Sequence, residues 1–487
     1  MDSKQTISSY PPVVAVLGHV DHGKTTLLDA VRQTSIADRE TGGITQAIGA
    51  SEVEIIHEGA ARKITFIDTP GHEAFAMMRS RGAKVADIGL LIISAVDGVK
   101  PQTRESISVL KEAKIPYIVV LTKSDLDTAN PDRVKQELLK EDIMLEDFGG
   151  TVPSILVSAK TKTNIKELLD LILLAFDLHK SPAYVEDIND KKPLEGIVIE
   201  SRLDLRTGPR ATVVVKNGKL SLRDTLYAQG EPFKVRTLIT DTGAHVAVAG
   251  VGDAVEVLGF ESVPEVGSVI TNLPDGQLTS EKSLPQLKKE LHYVPRSDGK
   301  LTLTIILTAD TQGSLEAILA SLPEGITIVA QKTGEPAEAD ILLAKSTGAI
   351  IISFNGKIRS QVARLAATER VMVRNYTIIY ELLDELADVL EGKKLAQEEE
   401  ILGVAEIKGK FPFEKTFAYG VSVTDGRVAK GDKIRIMRND EAVGEATIAS
   451  LRVGKTQTSK VEKSHEAGIV LSGSLDIELG DVILSHN

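Results

Sequence analysis

Gly18-His19-Val20-Asp21-His22-Gly23-Lys24-Thr25 is the stretch from which the chain is best read. It follows Val13-Val14-Ala15-Val16-Leu17, a short apolar run of β type, and precedes Thr26-Leu27-Leu28-Asp29-Ala30-Val31, whose apolar residues have helical spacing. Strand, glycine loop and helix in that order make a phosphate-binding turn. Gly18 and Gly23 let successive backbone N–H groups converge on phosphate oxygens, and the helix adds the positive end of its dipole. Lys24 then reaches the β- and γ-phosphates, while the Thr25 hydroxyl ligates Mg²⁺. His19, Val20, Asp21, His22 and Thr26 complete the contact surface. A Gly-rich strand–helix turn without a ligand has the same composition, so this loop alone does not decide the matter.

Three more elements stand further along the chain, each at the end of an apolar run. Asp68-Thr69-Pro70-Gly71-His72 comes after Lys63-Ile64-Thr65-Phe66-Ile67. There Asp68 holds Mg²⁺ through water and the Gly71 N–H senses a γ-phosphate. Leu121-Thr122-Lys123-Ser124-Asp125 comes after Pro116-Tyr117-Ile118-Val119-Val120. Asp125 offers two carboxylate oxygens to the N1–H and N2–H₂ edge of guanine, which adenine cannot match. Ser158-Ala159-Lys160 follows Ile155-Leu156-Val157. Four such strings in order describe a site for GTP or GDP with Mg²⁺, and hence a GTPase. Between the first two lies Thr41-Gly42-Gly43-Ile44-Thr45-Gln46-Ala47-Ile48-Gly49. It reads as a switch segment in which Thr45 completes the Mg²⁺ shell when the γ-phosphate is present. A solvated surface loop is the alternative.

Gly-His-Val-Asp-His-Gly-Lys-Thr, Gly-Gly-Ile-Thr-Gln and Asp-Thr-Pro-Gly-His together resemble the bacterial translation initiation factor 2 family of translational GTPases. Thr308 to Ala317, Ile350 to Asn355 and Tyr376-Thr377-Ile378-Ile379-Tyr380 are similar to the third domain of that family, so the resemblance covers nearly the whole chain. It implies ribosome-stimulated GTP hydrolysis, binding of formylmethionyl initiator tRNA to the small ribosomal subunit and joining of the large one. It also implies that His72 is catalytic. In the resembled GTPases the histidine of this pentapeptide orients the attacking water and is brought into place by the large subunit; the sequence offers no obvious arginine finger for that work. Val20 and Ile44 match the apolar pair that gates this histidine, with plain packing as the competing role.

Two positions depart from the family pattern. Thr122 stands where Asn usually opens the guanine motif; its shorter hydroxyl makes fewer bonds, while Lys123 and Asp125 keep the base-selecting part. Val421 and Ala467 stand where the family carries a cysteine in each of two segments beside the pocket for the formylmethionyl end. Two other functions stay open: a GTP-gated ribosome-binding protein with little turnover, against which His72 speaks, and an elongation-type carrier of aminoacyl-tRNA, against which the third-domain resemblance speaks.

Composition is that of an ordinary globular protein with room for three or four domains: 487 residues, 42% hydrophobic and 26% charged. With no Cys there are no disulfides or thiolate metal sites, which leaves Mg²⁺ on oxygen ligands as the expected metal. No signal peptide opens the chain and no apolar run approaches the ~20 residues of a membrane helix, so a cytoplasmic location, no membrane and a monomer off the ribosome are expected. The net charge of −12 argues against a simple nucleic-acid binder. From residue 401 onward, however, 12 Lys and Arg balance 12 Asp and Glu. RNA would meet least repulsion there, with Lys433-Ile434-Arg435-Ile436-Met437-Arg438 facing it, unless those charges only solvate a strand.

The expected fold class is α/β multidomain. After a tail at 1–10, a doubly wound P-loop GTPase domain spans 11–180, its strand and helix patterns alternating to its end. A β-barrel comes next at 190–275, signalled by Ala211-Thr212-Val213-Val214-Val215 and the turn at Asn217-Gly218. A small α/β domain covers 298–378, with a strand over Leu301 to Leu307 and a helix over Ser314 to Ser321. Leu382, Leu383, Leu386, Val389 and Leu390 then mark a long linker helix over 379–400, which in the resembled family tethers the last domain. Residues 401–487 form a second barrel, the initiator-tRNA-binding domain of the resembled family, with turns at Thr424-Asp425-Gly426 and Gly431-Asp432.

Overall fold

A computed structural model describes residues 10–32, 34, 45–179, 193–274, 303–390 and most of 401–486. The tail, residues 41–44 of the switch segment with Ile44, the linkers at 181–192 and from 275, and the stretch 391–400 lie outside the described residues. The chain divides into two compact units, Met1–Lys393 and Lys394–Asn487.

The first unit opens with strands β1 (Val13–Gly18), β2 (Gly49–His57), β3 (Ala60–Asp68), β4 (Ile88–Ser94), β5 (Tyr117–Thr122) and β6 (Ser154–Leu156). They form one sheet in the order β2-β3-β1-β4-β5-β6, parallel except for the β2–β3 pair. Helices α1 (Lys24–Arg32), α2 (Ala76–Val85), α3 (Pro101–Ala113), α4 (Pro131–Lys140) and α5 (Ile165–His179) cover both faces. That double cover explains the continuous apolar run of β1. Val13, Ala15 and Leu17 face the core shared with α2, α3 and α4, whereas Val14 and Val16 face the core under α1 and α5. The four expected motifs follow or close β1, β3, β5 and β6, at the carboxyl edge where doubly wound sheets bind ligands.

Next, Glu195–Asp204 and Gly208–Asn217 form the central antiparallel pair of an eight-stranded, barrel-like sheet around Val198, Val213, Val215, Leu238, Val257 and Ile270. Thr65 on β3 donates its hydroxyl to the Gly252 carbonyl at 2.7 Å. Lys216 donates to the Val85 carbonyl at 2.9 Å and to Asp87 at 2.7 Å, so the barrel is fastened to the GTPase sheet. The small α/β domain has four parallel strands in the order Ile326–Thr333, Leu303–Ala309, Ile350–Phe354, Val373–Tyr376. Its first helix is Gln312–Ser321, with Thr311 accepting the Ser314 N–H as its cap. The linker helix starts at Ile379 and is described to Leu390, with Ile379, Leu382 and Leu386 buried.

In the second unit the strand Ile401–Phe413 pairs with both Val482–His486 and Thr416–Ala429, which closes a ring of six antiparallel strands into a barrel. The expected turn at Thr424-Asp425-Gly426 is instead part of the strand Thr416–Ala429. The register shifts there, with Val404 opposite Asp425 and Ala405 opposite Val423, so the polar and glycine residues mark a bulge. The turn at Gly431-Asp432 does separate two strands. Lys433–Arg438 is a strand with Ile434 and Ile436 buried and Lys433 exposed; its Arg438 donates to Asp481 at 2.8 and 3.0 Å. Among the described residues no helix is long and apolar enough to cross a membrane.

Three segments of the first unit meet at Glu200. Its Oε1 accepts the Gly313 N–H at 3.1 Å, at the start of helix Gln312–Ser321, and the Ser201 N–H at 2.9 Å. Buried Arg81 of α2 binds Glu316 of the same helix at 2.8 Å. Burial pushes the Glu200 carboxyl up to about 7, against the pull of these N–H groups and of Arg81. The folded protein therefore holds a proton that the unfolded chain releases near pH 4.5. Stability from this group is full below pH 4.5 and is lost as pH rises through 7, in total about 3 kcal/mol. Thermal melts at pH 5 and pH 8 check this: Glu200→Gln should lower the pH sensitivity of the midpoint relative to the parent, and parallel pH profiles would refute it.

Candidate functional site

A cavity of about 390 Å³ opens at the carboxyl edge of the GTPase sheet. It is lined by Val20, Asp21, Gly23, Lys24, Thr25, Thr26, Thr45, Gly71, His72, Thr122, Lys123, Asp125, Ala159 and Lys160, with Leu126 added to the expected set. Gly18, His19, His22, Asp68 and Ser158 stand behind that lining and hold it.

The loop between β1 and α1 turns where Asp21 and Gly23 take positive φ, 63° and 84°. Lys24 opens α1, and its ammonium donates to the Gly18 carbonyl at 2.9 Å and the His19 carbonyl at 2.7 Å. Burial brings the Lys24 amine down to about 8, partly offset by the nearby Asp68 charge. Burial likewise brings the enclosed His22 imidazole down to about 3 and keeps it neutral at physiological pH. The Val20 N–H is fixed by the Gln102 side chain at 3.0 Å.

Opposite the loop, Gly71 approaches so closely that a Cβ there would lie 2.4 Å from Lys24 Nζ and 2.9 Å from the Val20 nitrogen. Only glycine fits. His72 is the next residue and is buried, with Nδ1 accepting the Ala74 N–H at 2.9 Å. Its pKa is lowered by burial and by Arg79. Fully buried Arg79 donates to the Pro70 carbonyl at 2.9 Å, to the His72 carbonyl and to Glu105, and thereby fixes the backbone on both sides of Gly71. Sequence reading missed this residue; an arginine set into a helix behind Asp-Thr-Pro-Gly-His was the available signal.

Thr45 Oγ1 lies 2.7 Å from Thr25 Oγ1, a hydrogen bond that brings the two threonines expected to ligate Mg²⁺ to one point. Asp68, buried at the end of β3, is the nearby carboxylate expected to act through water. Among the described residues no group of three or more His, Asp or Glu forms a metal cluster, so a metal here would have hydroxyl, carboxylate and phosphate oxygens, a donor set that suits Mg²⁺.

At the other end of the cavity, Ser158 donates to Asp125 at 2.7 Å, and this bond holds the Asp125 carboxyl below the usual carboxylate range. Lys123 sits at positive φ, 58°, with its ammonium 3.1 Å from Asp97. Thr122 donates its hydroxyl to the His22 carbonyl at 2.6 Å and lies 3.3 Å from the Ile93 carbonyl. The threonine thus ties the base end to the phosphate loop, the task for which its hydroxyl had looked short. Val421 and Ala467, by contrast, are directly opposed on neighbouring strands with both side chains in the core of the terminal barrel.

Three family models match within residues 11–387. Residues 11–177 match the model of the elongation factor Tu GTP binding domain, 193–273 that of elongation factor G domain 2 and 277–387 that of translation-initiation factor 2. The translation initiation factor IF-2 of Prochlorococcus marinus (strain MIT 9303) is 41% identical over 98% of this chain and 44% of its own length. That of Chloroflexus aggregans is 40% identical over 97% of this chain and 65% of its own. The chain belongs to the translation initiation factor 2 family. It spans roughly half to two thirds of the length of these relatives. Among solved structures, a GDP-bound aIF5B from Aeropyrum pernix is 23% identical over 98% of this chain and 92% of that one, with a TM-score of 0.46.

The tie at Thr122 can be cut without changing the shape of the side chain. Thr122→Val leaves the His22 carbonyl without this donor and should cost about 1–2 kcal/mol. Urea unfolding followed by a probe in the GTPase domain checks it; an unchanged midpoint would show that the tie carries nothing.

Proposed function

We propose that this chain is a GTP-hydrolysing translation initiation factor that promotes binding of formylmethionyl initiator tRNA to the small ribosomal subunit and joining of the large one. It acts in the cytoplasm, as a monomer off the ribosome. What carries the GTPase reading is the convergence of all four strand-end motifs on one cavity, with Thr45 and His72 at its phosphate end. Family membership supports the tRNA and ribosome; the third-domain match at 277–387 favours initiation over elongation.

In this reading the N–H groups of the loop from Gly18 to Thr25 and the Lys24 ammonium hold the phosphates. Asp125 accepts from the guanine edge, Lys123 and Ala159 flank the base with Lys160, and Ser158 keeps Asp125 ionised and aimed. Thr25 and Thr45 would ligate Mg²⁺ directly and Asp68 through water, and the ion would neutralise charge on the β- and γ-oxygens. Gly71 supplies an N–H to the γ-phosphate. His72, neutral with its proton on Nε2 because Nδ1 accepts from Ala74, orients the attacking water. Water oxygen bonds to the γ-phosphorus as the bond to the β–γ bridging oxygen breaks, giving GDP and phosphate.

Two variants separate binding from turnover. Lys24→Ala should abolish binding of a fluorescent GTP analogue while far-UV circular dichroism stays unchanged. His72→Ala should leave GTP affinity within a few-fold and lower ribosome-stimulated hydrolysis on the order of 10²-fold. Parental hydrolysis by the His72 variant on ribosomes would overturn its role.

A further inference from the structure

The start of the linker helix touches both nucleotide-facing segments. Beside Thr45, whose hydroxyl meets Thr25, the buried Gln46 side chain donates from Nε2 to the Thr377 carbonyl at 2.7 Å and accepts the Ile379 N–H on Oε1 at 3.1 Å. The Ile379 N–H is one of the helix's first donors, which have no partner within the helix, so Gln46 acts as its cap from 333 residues away. One residue on, the Tyr380 ring meets the His72 imidazole edge-on, with centroids 3.8 Å apart and planes at 73°.

His72 is therefore held at three points. The Ala74 N–H on Nδ1 and the Phe75 ring, 5.9 Å away, belong to its own turn and travel with it. Tyr380 comes from another domain and stays only while the linker helix is docked. Tyr380 is exposed and outside the hydrophobic core, so its removal leaves that core alone.

We propose that Tyr380 is a positioning residue that restrains the His72 ring in the ribosome-free protein, and that Gln46 links this restraint to the segment carrying Thr45. The inference rests on the reading of His72 as the group that orients the attacking water. Reorienting the imidazole toward a water at the γ-phosphate requires breaking the edge contact, so undocking the linker helix and freeing the catalyst are one event. The restraint lies in the ring, not in the phenol hydroxyl.

Single-turnover GTP hydrolysis by the full chain without ribosomes tests it, with ribosome-stimulated turnover measured in parallel. Tyr380→Ala should accelerate ribosome-free hydrolysis about three- to tenfold, the range expected for loss of one aromatic edge contact. Tyr380→Phe should remain within about twofold of the parent, and adding His72→Ala to Tyr380→Ala should remove the acceleration. An unchanged or slower Tyr380→Ala, a Tyr380→Phe as fast as Tyr380→Ala, or an acceleration that survives His72→Ala would each overturn the restraint. If His72→Ala alone keeps the full ribosome-stimulated rate, the reading beneath the proposal fails, and that result stands apart from any effect at Tyr380.

Discussion

A buried ammonium organises this molecule. Lys24 stands at the first position of α1 with its charge held by the Gly18 and His19 carbonyls and by the field of Asp68, and burial still brings its amine down to about 8. A cation so placed is stabilised further by any anion the loop admits, which is the physical basis for reading the loop as a phosphate site. The same ammonium leaves no room for a side chain at Gly71, and the backbone packed against it delivers His72 to the cavity wall. Arg79 locks that backbone from behind through the Pro70 and His72 carbonyls. Position therefore passes from Lys24 to Gly71 to His72, and from His72 to Tyr380 on the linker helix.

The second constraint is the distance between hydroxyls. Thr25 and Thr45 come from segments 20 residues apart, and their hydroxyls are 2.7 Å apart. This fixes the end of the switch segment, and Gln46 carries the consequence to Thr377 and Ile379. The barrel is fastened to the GTPase domain by Thr65 and Lys216, the α/β domain to α2 by Arg81 and to the barrel by Glu200, and together they give the linker helix a firm base from which to read it.

The local part of this architecture was legible in the sequence because it obeys local rules. Apolar runs buried on both faces announced the parallel strands, and the strings at their ends announced the cavity, down to Thr45 and Asp125. What the sequence hid is contact between distant segments. Nothing in Gln46 foretells a bond to a carbonyl 331 residues away, and nothing in Tyr380 foretells His72. Composition misled at Thr424-Asp425-Gly426, since a bulge and a turn ask for the same residues. Val421 and Ala467 show a related limit: a two-residue strand period places both inward, but inward in this barrel is packed core.

Selection of a guanine nucleotide through Asp125 is the point on which the functional reading stands. Competition of GTP, ATP and XTP against a fluorescent guanine nucleotide, on the parent chain and on Asp125→Asn, probes it without any partner. On the parent, GTP should displace the probe and ATP should not, and Asp125→Asn should shift preference toward XTP, whose 2-oxo group accepts where guanine donates. Equal displacement by ATP and GTP on the parent would contradict it.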